Sequence, residues 1–268
     1  LTVTQVHPKT EVVRESHNVG EAMEDLRRLA EERLGKTDLD SGLDYGTIAI
    51  SKYRKSDGTN SWLVTIPGTD GKHDSPFGWP QNVELMSSDS KQRMEADSAR
   101  MVQEAMKQAG IKSNEPVALI GHSQGGIVAA SIASDLKDDY DIEHVVTAGS
   151  PVANHPIPEK TWVTSVEMDD ELVAALDGAA NPSSDHWLTV RGTASKSSSN
   201  QESTFAGTPV TDAPDNKEIT HWLKYHQAAY QNATDMGSTA VNTHERHFDE
   251  IIDGDLQEVM YFEGRMSK

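Results

Sequence analysis

Val117-Ala118-Leu119-Ile120 followed by Gly121-His122-Ser123-Gln124-Gly125 is the stretch that most constrains the fold of this chain. The four apolar residues form a run too short for a helix, and the Ala-rich stretch from Ile127 to Leu136 suits one. Between them lies a G-x-S-x-G pattern. Its glycines let a strand turn sharply into a helix, which leaves Ser123 on a strained corner with its Oγ exposed. A side chain at 121 or 125 would collide with the neighbouring strand or helix. The bare pattern arises by chance on the order of 0.1 times in a chain of this length. The strand before it and the helix after it supply the specificity, against the plain alternative of a Gly/Ser-rich turn carrying an idle serine.

The surroundings repeat the alternation. Val145–Ala148, Trp162–Val166 and Trp187–Val190 read as further short strands separated by helices. That implies an α/β fold with a mostly parallel sheet covered by helices on both faces. Upstream, Asn18 to Gly35 reads as a helix, with Asn18 and Glu21 set as in a capping box and Gly35 at the exit. Thr47–Tyr53 and Trp62–Ile66 form a hairpin around Ser56–Asn60. Met94 to Ala109 reads as one amphipathic helix ending at Gly110. Gly192 to Thr220, rich in Ser, Thr, Asn and Asp, reads as a long loop. No repeat or linker divides the chain, so residues 1–268 are expected to be a single domain, with residues 1–45 as a helical extension packed on it.

A serine nucleophile needs a base, and the base needs an orienting carboxylate. On a fold of this kind they follow the serine in the order acid, then histidine. The strand Val163–Val166 runs directly into Asp169, Asp170 and Glu171, and any one of these acids read alone is an ordinary solvated loop carboxylate. Five histidines come after. His186 opens a strand and reads as structural. His244 and His247 have a metal-compatible spacing but sit on an expected exposed, charged helix. His221 and His226 stand at or near the start of another helix, and periodicity does not separate them. For the oxyanion, the N–H of Gln124 is one donor. The N–H of Thr69, after the strand ending Ile66-Pro67-Gly68, is the second candidate, against a simple Pro-Gly turn. The following loop, 71–89, carries Phe77, Trp79, Pro80, Val83, Leu85 and Met86, and either lines an acyl site or folds back on the core.

Composition excludes several functions. With 24 Lys+Arg against 43 Asp+Glu, the net charge is −19. Nucleic-acid binding depends on cationic contacts to phosphate, so it is excluded as an expected activity; anionic membrane surfaces are likewise disfavoured. The chain has no cysteine, hence no disulfide, thiolate metal site or Cys nucleophile. No apolar run reaches the ~18 residues of a membrane span. The sequence begins at Leu1 rather than Met, so a processed or truncated start is expected, compatible with a secreted protein or part of a longer exported one. No phosphate loop or dinucleotide fingerprint is present and no cofactor is expected.

Ile66-Pro67-Gly68-Thr69, Gly121–Gly126, Thr147-Ala148-Gly149-Ser150-Pro151 and Glu171-Leu172-Val173-Ala174-Ala175-Leu176-Asp177-Gly178 together resemble α/β hydrolases of the lipase class 3 and GPI-inositol-deacylase-like kind. The resemblance runs from about Gly46 to the C-terminal helix. It implies a serine esterase or lipase-like hydrolase acting on a small-molecule or lipid ester. The resemblance places the acid at Glu171, where Asp is usual, with Asp170 as the alternative. The family's histidine stands about four residues before a tyrosine, and His221 and His226 both fit that spacing. Other acyl hydrolases on the same scaffold, or a binding module without the triad, are the competing expectations. The acidity favours a soluble esterase over an interfacial lipase.

Overall fold

The apolar run before Ser123 is the centre of the sheet. In the computed structural model it belongs to β4 (Pro116–His122), where Val117 and Leu119 face one buried cluster and Ala118 and Ile120 face another. A strand buried on both faces reads as continuously apolar, which is why no polar residue interrupts it. The structure describes residues 1–78, 85, 90–169, 181–196, 203–205, 208–210 and 223–267.

The strands are β1 (Thr2–Val6), β2 (Thr47–Arg54), β3 (Asn60–Ile66), β4, β5 (Asp141–Ala148), β6 (Trp162–Met168), β7 (Trp187–Gly192) and, near the C-terminus, β11 (Asp255–Arg265). They form one eight-stranded sheet in the order β1-β11-β2-β3-β4-β5-β6-β7. β3 through β7 are parallel neighbours, while β1, β11, β2 and β3 are antiparallel neighbours. β1 and β11 carry little of the strand signal that marks the centre: their burial patterns are broken by exposed residues.

The helices are α1 (Val19–Glu32), α2 (Ser90–Glu95), α3 (Asp97–Ala109), α4 (Gln124–Asp135), α5 (Leu223–Asp235) and α6 (Thr239–Ile251). α2, α3 and α4 cover one face, through Ala99, Val102, Met106, Ile127 and Ile132. α1, α5 and α6 cover the other, through Met23, Leu26, Tyr225, Tyr230 and Phe248. The layers are those of an α/β-hydrolase fold, as the strand–helix alternation implies. Asn18 caps α1 by accepting the Glu21 N–H at 2.8 Å, and Gly110 ends α3 in the left-handed region.

Two expectations are corrected. The helix expected over 94–109 is two helices, because Ala96 leaves the helical region at ψ 131. Arg93 holds the short α2 against α4 through a buried, two-pronged pair with Asp135, at 2.6 and 3.0 Å. The stretch 192–220 is not wholly a loop. It contains β8 (Ala194–Lys196), β9 (Ser203–Phe205) and β10 (Thr208–Val210), a small antiparallel sheet in which β9 and β10 carry the Thr, Phe and Val that favour extended backbone.

Candidate active site

β4 delivers Ser123 to the carboxyl edge of the parallel strands, and the backbone there is strained. Ser123 has φ 56 and ψ −121, one of two non-glycine residues with positive φ among those described. A non-glycine residue in that region costs about 1–3 kcal/mol and persists only where its surroundings hold it. They do so here. The Ser123 N–H donates to the Ala148 carbonyl at 2.9 Å, and the Ser150 hydroxyl donates to the Ser123 carbonyl at 2.9 Å.

The elbow leaves no room beside its glycines. A Cβ on Gly121 would stand 2.5 Å from the Gly126 nitrogen, and one on Gly125 would run into the carbonyl oxygens of Ile66 and Pro67. One glycine faces the helix and the other faces the end of β3, as the pattern requires. Ser123 itself remains partly exposed.

Gln124 opens α4, so its N–H belongs to a first turn whose donors have no intrahelical partner and whose dipole favours negative charge. Its side chain is fully buried and donates to the Gly78 carbonyl at 3.0 Å, which ties α4 to the loop after β3. That loop approaches the serine closely. A Cβ on Gly68 would lie 3.1 Å from the Ser123 Cβ and 2.9 Å from the His122 carbonyl oxygen. Thr69 is the next residue, so the segment expected to supply a second oxyanion donor does adjoin the nucleophile.

Underneath, Arg33 at the end of α1 donates to the Gly68 carbonyl at 2.7 Å and pairs with Asp70 at 3.3 Å. Both charged side chains are essentially inaccessible to solvent. Burial pushes the Arg33 guanidinium down to about 10 and Asp70 opposes that shift, so the side chain stays cationic. Asp70 also accepts the Gly46 N–H at 2.9 Å and the Ser75 hydroxyl at 2.8 Å. Sequence reasoning gave Arg33 no role, because an arginine in the last turn of an amphipathic helix reads as a solvated charge.

β6 is the second neighbour of β4, and its carboxyl end lies about 10 Å along the same edge. Asp169 follows it; its carboxylate is exposed and accepts the Thr193 hydroxyl at 2.6 Å. Asp170, Glu171 and His221 lie outside the described residues, as do Trp79, Pro80, Val83 and Met86. Phe77 and Leu85 are fully buried and belong to the main core, so these two fold back rather than line a cleft; the His155 ring lies 3.1 Å from the Leu85 carbonyl oxygen.

His226, in the first turns of α5, is fully buried. Its ring meets that of His122 edge-on, with centroids 5.9 Å apart. His226 is therefore brought against the immediate neighbour of Ser123.

His244 and His247 overturn the expected exposed helix. They lie on α6 facing β5 and β6, and Trp162 is sandwiched between His247 at 4.2 Å and His186 at 4.4 Å. His144 shares a hydrogen bond of 3.0 Å with His247 and one of 2.8 Å with Thr164. Burial, then the neighbouring imidazoles, holds His144 well below the ordinary range and His247 at about 4. Among the described residues, no group of His, Asp or Glu is arranged to hold a metal ion. This cluster sits toward the amino ends of β5 and β6, away from Ser123.

Sheet order, covering helices and a strained serine at a strand–helix corner define an α/β-hydrolase-type domain. Comparison with known families agrees: the model described as "PGAP1-like alpha/beta domain" matches residues 82–205, a little under half of the chain and a span that includes the elbow. That match supports the hydrolase fold family and does not extend to lipase class 3. No curated protein is significantly similar to the chain. No helix among the described residues is long and apolar enough to cross a membrane.

Proposed function

We propose that the protein is a serine hydrolase that cleaves carboxylic esters through an acyl-enzyme. The backbone of Ser123 carries this reading: strain of that kind, held by hydrogen bonds from two directions, is what presents a nucleophilic oxygen at a strand–helix corner. The family match to a hydrolase-type domain supports it.

In this mechanism the Ser123 Oγ attacks the ester carbonyl while a histidine takes its proton. The C=O electron pair moves onto oxygen, where the Gln124 and Thr69 N–H groups receive the negative charge. Collapse breaks the C–O bond, and the histidine returns its proton to the leaving alcohol. Water then attacks the acyl-serine by the same route, releasing the acid and restoring Ser123. We assign the base to His221. A base must meet both Oγ and the leaving group, whereas His226 is fully buried with its ring set edge-on against His122. Glu171 orients the imidazole, with Asp170 as the neighbouring alternative, and the carboxylate stabilises the imidazolium that forms. The substrate is a small-molecule or lipid ester taken from solution, since a net charge of −19 repels anionic surfaces.

A fluorophosphonate probe tests the reading. It is expected to label Ser123 in the folded protein, to spare Ser123→Ala, and to label His226→Ala but not His221→Ala at a comparable rate. Absence of labelling on the folded wild-type protein would leave a hydrolase-shaped binding module instead. A panel of p-nitrophenyl esters of increasing chain length, beside phospholipid and acyl-thioester substrates, separates esterase from the other acyl hydrolases.

A further inference from the structure

We infer that Arg33 is a positioning residue for catalysis: by gripping the Gly68 carbonyl it sets the peptide plane that aims the Thr69 N–H at the oxyanion. This inference rests on the serine hydrolase reading above and adds a residue from outside the elbow and the triad.

The argument starts from peptide geometry. The Gly68 carbonyl and the Thr69 N–H belong to one planar trans peptide, so they point in opposite directions. Arg33 donates to that carbonyl at 2.7 Å from the α1 side. The N–H must then project from the opposite edge of the same plane. Gly68 adjoins the Ser123 side chain: a Cβ at position 68 would stand 3.1 Å from the Ser123 Cβ. A rotation of this one peptide would withdraw the donor and present a carbonyl oxygen in its place, repelling a developing oxyanion.

A glycine at 68 makes such a rotation easy, because glycine tolerates backbone conformations closed to other residues. Something outside the peptide has to prevent it, and Arg33 is bonded to its carbonyl. A cation on the carbonyl also polarises the peptide and strengthens its N–H as a donor.

The arrangement is rigid because Arg33 is itself held. Asp70, two residues along the same loop, pairs with the guanidinium and is anchored by Gly46 and Ser75. The two ends of the guanidinium fork therefore grip the loop on either side of Thr69. A lysine has one ammonium and cannot reproduce a planar fork with two separated acceptors. No other described cation pairs with Asp70.

The test measures phosphonylation of Ser123 by a fluorophosphonate in wild type, Arg33→Lys and Arg33→Met, resolving the maximal rate kinact from the binding constant KI. Folding is checked by circular dichroism and urea midpoint. Loss of one well-placed oxyanion donor costs about 100- to 1,000-fold in rate, so misaiming it should lower kinact roughly 10- to 100-fold, with KI within about twofold of wild type. Arg33→Lys should fall between wild type and Arg33→Met. A folded variant with unchanged kinact, or one in which only KI moves, overturns the inference. If Arg33→Met does not fold, Arg33→Lys decides by the same criterion. Wild type that is not labelled fails the hydrolase reading itself; labelled wild type with equally labelled variants fails the role of Arg33 alone.

Discussion

The N–H of Ser123 donates to the carbonyl of Ala148 at 2.9 Å, from the start of one helix to the end of the adjacent strand. This bond ties the strained residue of the elbow to β5, and Ser150 closes the other side by donating to the Ser123 carbonyl. Gly149 between them has φ 62, which turns the chain so that Ala148 and Ser150 both face the serine. The conformation of Ser123 is therefore a property of two loops together, since neither its own residue type nor the helix after it favours φ 56.

Replacing Ser123 should separate activity from stability. Ser123→Ala retains a Cβ in the unfavourable region and is expected to keep the strain. Ser123→Gly releases it and should be more stable than Ser123→Ala by about 1–2 kcal/mol in urea denaturation. Neither variant should react with a fluorophosphonate. Equal stabilities would mean that Ser123 is not strained in solution.

Gly125→Ala should destabilise the fold by about 2–3 kcal/mol, because its Cβ meets the backbone at the end of β3, which cannot step aside. Gly58→Ala, in the β2–β3 turn at φ 84 with open space around it, should cost only about 1–2 kcal/mol, from backbone conformation alone. Denaturation midpoints measured side by side check the order.

Much of this site was legible from the chain, and the reason is local. Gly121, Ser123 and Gly125 are constrained by one turn, so the pattern and the geometry are nearly the same information. Arg33 was not legible: its role depends on a contact with Gly68 across the fold, and nothing near residue 33 hints at it. His244 and His247 read as exposed because Glu245, Arg246 and Asp249 make their helix look solvated. Trp162 and His144, far away in sequence, are what cover its inner face. β1 and β11 are not legible for a related reason, since a sheet margin carries exposed residues on strands whose pattern resembles loop.

The imidazole cluster should make the protein acid-sensitive. His144, His244 and His247 all have folded-state affinities for protons below the ordinary value of 6.5, with burial as the main cause. The unfolded chain therefore binds protons that the folded chain refuses, and stability falls as pH drops from about 6.5 towards 4. His247→Phe keeps a flat ring on Trp162 and removes one titrating group. Its urea midpoint should fall less steeply over that window, by on the order of 1 kcal/mol after allowance for solvent screening. An unchanged slope would contradict the assignment.

Glu245 has the opposite sign. Burial, with Asp249 beside it, raises its carboxyl from 4.5 to about 7. The stabilisation present at low pH is lost as pH rises through that range. Glu245→Gln can still accept the Val19 N–H, which Glu245 now does at 3.1 Å. It should exceed wild type in stability at pH 8 by roughly 1–2 kcal/mol, discounted for partial exposure, and the gap should close near pH 5. Equal midpoints at pH 8 would contradict this.

The position of β11 between β1 and β2 has a consequence for biosynthesis. Ala49 on β2 is paired with Tyr261 on β11, although every other element described here except β1 and α1 lies between them in the chain. At about 5–20 residues per second, β2 emerges from the ribosome roughly 10–40 s before its outer partner. Throughout that interval one edge of β2 has no native strand to bond, and β1 has none at all. The nascent chain thus carries an open β edge until β11 has been made, a period in which a chaperone or a second nascent chain can reach that edge first.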